Sequence, residues 1–275
     1  MQVLFSFILT ISSLFPAGTD EESAKIMEEA RLLFRLEKAS WYGTDDMLEH
    51  YPDKKDSIGG YLSYITDNNK VNTIFYSRFN LYHILIRYQF DSVASFLPVS
   101  VDITEHKPTS HERDLITIRN DAFNSIYIDE NPFFTYYENT AFNIIPLIND
   151  NVKKVYVLTA PRKDGIILLG NDYLLTYGSN NTLIKKKKIH ESLIELPFQG
   201  VDEEKKIETS MHTHVNSSLI DATDICTILL YKDYIEWNQH IVISKKYVSI
   251  FNIEKEDLVV ITKKAWERMK RSFNE

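Results

Sequence analysis

The sequence predicts an α/β (α+β) protein in which a mixed, largely antiparallel sheet carries flanking helices. Three observations support this. Short runs rich in Val, Ile, Leu, Tyr and Phe, bounded by polar turn residues, recur through residues 60–103 and 142–251. Four other stretches, one near the start, one in the middle and two toward the end, carry apolar residues at helical spacing. Hydrophobic residues make up 44% and charged residues 25%, with only 8 Gly and 8 Pro, a composition that builds a buried core.

The chain opens on an apolar run over residues 3–15, VLFSFILTISSLF. It is shorter than the ~20 residues of a membrane span. Small Ala17, Gly18 and Thr19 follow, then acidic Asp20, Glu21 and Glu22, so residues 1–19 read as a secretory signal peptide. The positive charge usual before such a run is missing, and the alternative reading is a buried helix. The signal reading implies a periplasmic or secreted protein that is not integral to a membrane once the signal is removed.

A first helix is expected over residues 22–37, where Ile26, Met27, Ala30, Leu33 and Phe34 share a face. Gly43 and the Asp45–Asp46 pair should end the pattern. Strands at 61–65, 73–76, 81–90 and 99–103 suggest an antiparallel meander. A second helix over 109–127 presents Leu115, Ile118, Ala122, Phe123 and Ile126. His106, His111 and Glu112 at its start read as capping or solvated groups, with metal binding as the alternative.

Further strands are expected at 142–148 and 152–158, around the turn signal Asn149-Asp150-Asn151, and at 165–169, 173–177, 182–186 and 192–198. After a polar loop at 202–206 come a strand at 207–214, a helix at 222–235, a hairpin at 240–244 and 247–251, and a terminal helix at 254–273. No internal repeat is visible. The softest division falls near residue 100, between 20–104 and 105–275.

Charge excludes one function class. The net charge is −8, so non-specific nucleic-acid binding, which depends on Lys and Arg neutralising phosphate, is not expected. The run Lys185–Lys188 lies between apolar segments and reads as a solvated strand end. The single cysteine, Cys226, rules out an internal disulfide and every multi-cysteine zinc motif. It sits in an apolar helical run, so a buried thiol is favoured over a nucleophile.

The one site-like feature is Met211-His212-Thr213-His214 at the end of a strand. Residues two apart face the same way, so both imidazoles can chelate one divalent ion, and zinc suits imidazole and carboxylate donors. The next helix opens on Asp221-Ala222-Thr223-Asp224. Asp221 is placed as its N-cap, and Asp224, one turn in, is the third candidate ligand. Strand histidines stacked on aromatics, beside a purely capping aspartate, are the bland alternative.

At these residues the chain resembles the JAMM (JAB/MPN) metalloproteases, whose signature is H-x-H followed by S-x-x-D and an upstream glutamate. The likeness covers roughly residues 105–260. His212, His214 and Asp224 match the metal ligands. Asp221 stands where the family has serine, and Val215 where it has proline. A second register places Ser218 and Asp221 on S-x-x-D, with a very short loop. The whole chain also resembles exported proteins of Gram-negative bacteria, a likeness that implies no activity.

The JAMM resemblance implies Zn2+ and hydrolysis of a peptide or isopeptide bond in a protein or peptide substrate by metal-activated water. Glu138, ahead of the strand at 142–148, is the best-placed general base, with Glu195 and Glu208 as alternatives. Two rivals remain open from the sequence. One is a non-catalytic exported module that binds a protein or glycan, suggested by 16 Tyr and 15 Phe. The other is a cysteine hydrolase using Cys226.

Overall fold

The computed structural model describes residues 19–91, 97–128, 132–149, 152–198 and 208–274. The expected signal peptide lies outside the described residues, apart from Thr19, as does the polar loop at 202–206. The chain is mixed α+β, with four mostly antiparallel sheets and a few helices. It divides into two compact units that do not follow chain order. One comprises Met1–Arg31, Lys163–Gly170 and Ile189–Glu275. The other comprises Leu32–Arg162 and Asn171–Lys188.

In the second of these units the expected meander is present. Strands β1 (Ile58–Ile65), β2 (Val71–Ser77), β3 (Ile84–Phe90) and β4 (Ser100–Asp102) pair antiparallel in chain order. Every residue of β2 is buried, because both faces of the sheet are covered. Helix α1 (Thr19–His50) covers one face: Ser40 Oγ meets Ser63 Oγ at 2.8 Å, and Tyr42 packs on Phe90. Helix α2 (Ser110–Tyr127) covers the other, packing Leu115 and Ile116 with Leu62, Ile74 and Tyr76.

Helix α1 does not stop at Gly43. A Cβ there would lie 3.2 Å from Thr73 Cγ2 and 3.5 Å from Tyr88 Cδ2. The glycine allows close helix–sheet approach, and that packing outweighs its weak helix propensity. Buried Met47 continues the apolar face.

Helix α2 begins in a capping box in which Thr109 Oγ1 accepts from Glu112 N and Glu112 Oε2 accepts from Thr109 N. Glu112 also accepts from Arg87 Nη2 and from the Tyr64 hydroxyl, each at 2.8 Å. His106 pairs with Asp102, and the His111 ring packs on Tyr64. These groups cap and pack, as the simpler sequence reading expected.

The other face of α2, through Ile118, Ala122 and Ile126, packs on a second sheet with Val155, Val157, Tyr173 and Leu175. That sheet runs β5 (Thr140–Asn149), β6 (Val152–Pro161), β8 (Tyr173–Tyr177), β9 (Leu183–Lys188). The lysine run forms β9, with Lys186 Nζ over the Phe133 ring.

Glu37, on α1, is 4% exposed and accepts Asn143 Nδ2 at 2.8 Å. Burial pushes its carboxyl up to about 7, with Asn143 and Arg119 opposing. A raised folded-state value favours folding below the unfolded value near 4.5, and this advantage is lost as pH rises through 7. Glu37→Gln keeps an acceptor for Asn143. It should match the wild type near pH 4.5 and be more stable at pH 8, by on the order of 3 kcal/mol. Denaturant midpoints at the two pH values check this, and a Gln variant that loses more stability at pH 8 than at pH 4.5 would show instead that the ionised Glu37 stabilises the fold.

The first unit holds a β–α–β element. Strand β11 (Thr209–Thr213) pairs in parallel with β12 (Gln239–Ile243), and helix α3 (Ala222–Tyr231) is the crossover that a parallel pair requires. Strands β13 (Tyr247–Asn252) and β14 (Asp257–Thr262) extend the sheet antiparallel, and helix α4 (Lys263–Asn274) closes the chain. The first part of the expected terminal helix is therefore a strand. Its Leu-Val-Val-Ile run has three β-branched residues and pairs along β13. A separate antiparallel pair, β7 (Ile166–Gly170) with β10 (Leu193–Pro197), completes the unit.

Candidate metal centre

His212 lies on β11 and His214 just beyond its end, and both turn to the same side. Asp221 is the N-cap of α3 and Asp224 sits one turn in, where its Oδ2 accepts Asp221 N at 3.0 Å. His190, in the segment between β9 and β10, completes the group. His190, His212, His214 and Asp224 are all buried and present ligand atoms within 4.8 Å of one another. His212, His214 and Asp224 are the three candidates from the sequence, and the structure brings them together.

The distances fit a small cation. His190 Nε2 lies 3.3 Å from Asp224 Oδ1, His212 Nε2 lies 3.8 Å from the same oxygen, and His214 Nε2 lies 3.3 Å from Asp224 Oδ2. Bonds of 2.0–2.1 Å at tetrahedral angles place zinc ligands ~3.3 Å apart. Asp224 Oδ1 is buried and faces the His190 and His212 ring nitrogens without a well-aligned hydrogen bond. With Oδ2 committed to the helix cap, Oδ1 is the oxygen left to meet a cation.

The hydrogen bonds fix the tautomer of His214. Its Nδ1 lies 3.0 Å from Leu219 O and 2.7 Å from Ser217 Oγ. A carbonyl only accepts, so Nδ1 carries the hydrogen and Nε2 offers a lone pair in the neutral ring. His214 Nε2 is 2.7 Å from His212 Nε2. Two lone pairs at that distance repel unless a proton or a metal ion lies between them.

Electrostatics agree. Burial opposes ionisation of Asp224, yet His190 and His214 hold its carboxyl well below the usual range. Burial also works against charge on His214, but Asp224 raises its value above 6.5. His212, with burial dominant, is pushed down to about 4. Burial and the nearby Asp224 raise Asp221, which also accepts Ser217 Oγ at 2.8 Å. Asp221 therefore serves as cap and neighbour to the cluster rather than as one of the four converging groups.

The cluster forms one wall of a cavity of about 210 Å3. His190, His212 and His214 line it together with Glu191, Asn216 and apolar Leu169, Ile189 and Val215. Glu191 Oε1 accepts Asn216 Nδ2 at 2.7 Å. Glu138 is exposed, in the turn before β5, and belongs to the other compact unit. Glu195 and Glu208 are exposed as well. None of these three lines the cavity.

Sequence reasoning missed His190 and Glu191 because nothing in their spacing ties them to residues 212–224. The β7–β10 pairing brings them in. Gly170 adopts φ +93°, and a Cβ there would sit 2.3 Å from Ser192 O and 3.4 Å from His190 Cβ. Cys226 is fully buried in α3, as expected, and lacks the exposure a nucleophilic thiol needs. Among the described residues no helix is long and apolar enough to cross a membrane. No protein-family model and no curated protein matches this chain.

Proposed function

We propose that the chain is a zinc-dependent hydrolase of peptide or isopeptide bonds, built on a JAMM-like arrangement. One observation carries this reading: four buried donor groups present ligand atoms within 4.8 Å of one another, and the three histidines among them line a cavity. Three imidazoles and a carboxylate are a donor set that suits zinc. When bound, such an ion supplies Lewis acidity, polarising a carbonyl and acidifying water.

The residues divide the work. His212, His214 and Asp224 hold the ion from the contiguous β11–α3 element. His190 is the donor that comes from outside this element and, like His212 and His214, lines the cavity. Glu191 is the carboxylate that accepts and returns a proton, and Asn216 orients it. Buried Leu169 and Ile189 give the cavity its apolar wall and limit water around the reacting bond.

A second reading also has specific support. Four protein donors can close a tetrahedron, as structural zinc sites do. Phe123, Tyr127, Tyr136 and Phe142 form an aromatic group in the other unit, with Tyr136 55% exposed, which suits a module that binds a protein or glycan.

Assays of zinc-loaded protein on peptide and isopeptide-linked substrates separate the two. The hydrolase reading expects turnover that a chelator abolishes and zinc restores. It also expects Glu191→Gln to lower kcat by about 10²–10⁴-fold with one zinc still bound. Zinc binding without turnover of either substrate would favour the non-catalytic module.

A further inference from the structure

Behind His212 lies a group that neither the ligand set nor the cavity uses. His240 is fully buried on β12. In the parallel register it stands opposite Ser210, and Ser210 shares a strand face with His212 two residues on. The His240 ring therefore reaches both. His240 Nε2 lies 2.8 Å from His212 Nδ1, and His240 Nδ1 lies 2.7 Å from Ser210 Oγ. Ser210 is 7% exposed and His212 8% exposed. The Trp237 ring stacks along His240 at 6.4 Å and closes the far side.

We infer that the chain Ser210–His240–His212 selects the tautomer of His212 that can bind metal, and so sets the affinity of the centre. This rests on the metal-site reading above and adds a regulator to it. His240 acts as a positioning residue, through His212.

The argument follows from counting hydrogens. Between two neutral imidazoles, one nitrogen donates and the other accepts. For His212 Nε2 to offer a lone pair to a metal, its Nδ1 must carry the hydrogen and donate to His240 Nε2. His240 then carries its own hydrogen on Nδ1 and donates it to Ser210 Oγ. In the reverse arrangement His240 Nε2 donates to His212 Nδ1. The His212 hydrogen then sits on Nε2, where it blocks the metal.

His214 has no such freedom, because the Leu219 carbonyl can only accept. His212 is the ligand whose readiness is decided by a neighbour with two states, and the Ser210 hydroxyl, which can accept as well as donate, keeps the metal-ready state satisfied. Without the Ser210 hydroxyl, a buried N–H on His240 Nδ1 loses its acceptor, which favours the blocked arrangement. Outer partners of metal-bound histidines commonly change metal affinity by about 10–100-fold.

The test compares zinc dissociation constants, measured by competition with a chromogenic chelator, for the wild type, His240→Leu, His240→Gln and Ser210→Ala. His240→Leu removes the acceptor and should raise Kd by about 10–100-fold. His240→Gln places an amide oxygen near the lost Nε2 and should recover most of that loss, which simple packing damage would not. Ser210→Ala should weaken binding although it touches no ligand.

In parallel, two-bond 1H–15N spectra of the metal-free proteins should show a larger share of the His212 hydrogen on Nδ1 in the wild type than in Ser210→Ala, because the competing arrangement, with the hydrogen on Nε2 toward His214, needs no acceptor at Ser210. Wild-type affinity in both His240→Leu and Ser210→Ala would overturn the inference, as would a His212 tautomer indifferent to Ser210. If His240→Leu does not fold, Ser210→Ala and the spectra still decide. If the wild type binds no zinc, the metal reading fails, while the tautomer spectra judge the hydrogen-bond chain independently.

Discussion

Replacing His214 with alanine should lower the affinity for zinc by about 100-fold or more. Structural zinc sites bind with ~10–16 kcal/mol spread over four ligands, so one ligand carries about 3 kcal/mol. That corresponds to on the order of 100-fold in Kd. His214 should exceed the average. Its ring is held from behind by Leu219 O and Ser217 Oγ, and its Nε2 faces both Asp224 and His212. His190→Ala is the informative contrast. His190 is supplied by another segment, and the backing from Leu219 O and Ser217 Oγ belongs to His214, so losing His190 should cost less, about tenfold. Equal losses at the two positions would make all four ligands equivalent and favour a closed structural site.

Gly170→Ala should destabilise the protein by about 3 kcal/mol or more and weaken metal binding with it. Two costs combine. Gly170 has φ +93°, where a side chain adds ~1–3 kcal/mol of backbone strain. The new Cβ would also meet Ser192 O at 2.3 Å, and backbone cannot swing away as a flexible side chain can. Relief requires moving the segment that carries His190.

Gly165 provides the control. It has φ +79°, but nothing lies within 4 Å of its added Cβ. Gly165→Ala should therefore cost only the backbone term, ~1–2 kcal/mol, with zinc affinity unchanged. Denaturant unfolding and chelator competition on both variants check the pair. If Gly170→Ala kept wild-type affinity, the strand pair β7–β10 would not be what seats His190.

The local parts of this fold were legible because local chemistry dictates them. The meander showed itself in apolar runs between turn residues. The helix at 110–127 showed itself in Leu115, Ile118, Ala122 and Ile126 at helical spacing. The β11–α3 element carried three ligands within thirteen residues, so strand alternation and the helix cap sufficed to place His212, His214 and Asp224.

What the sequence hid depends on tertiary pairing. His190 and Glu191 reach the cavity only through the β7–β10 pairing. His240 reaches His212 only because β12 lies parallel to β11 in a register that sets it opposite Ser210. Gly43 reads as a helix breaker until Thr73 and Tyr88 show that it is a point of close approach.

The most direct test of the account is titration of the metal-free protein with cobalt(II), which takes up zinc sites and reports their geometry by its visible spectrum. The account expects saturation at one ion per chain, with the intense absorption of tetrahedral nitrogen–oxygen coordination. It also expects full displacement by zinc and loss of the signal in Asp224→Ala. No binding, or weak octahedral bands that persist in Asp224→Ala, would contradict a metal centre at His190, His212, His214 and Asp224.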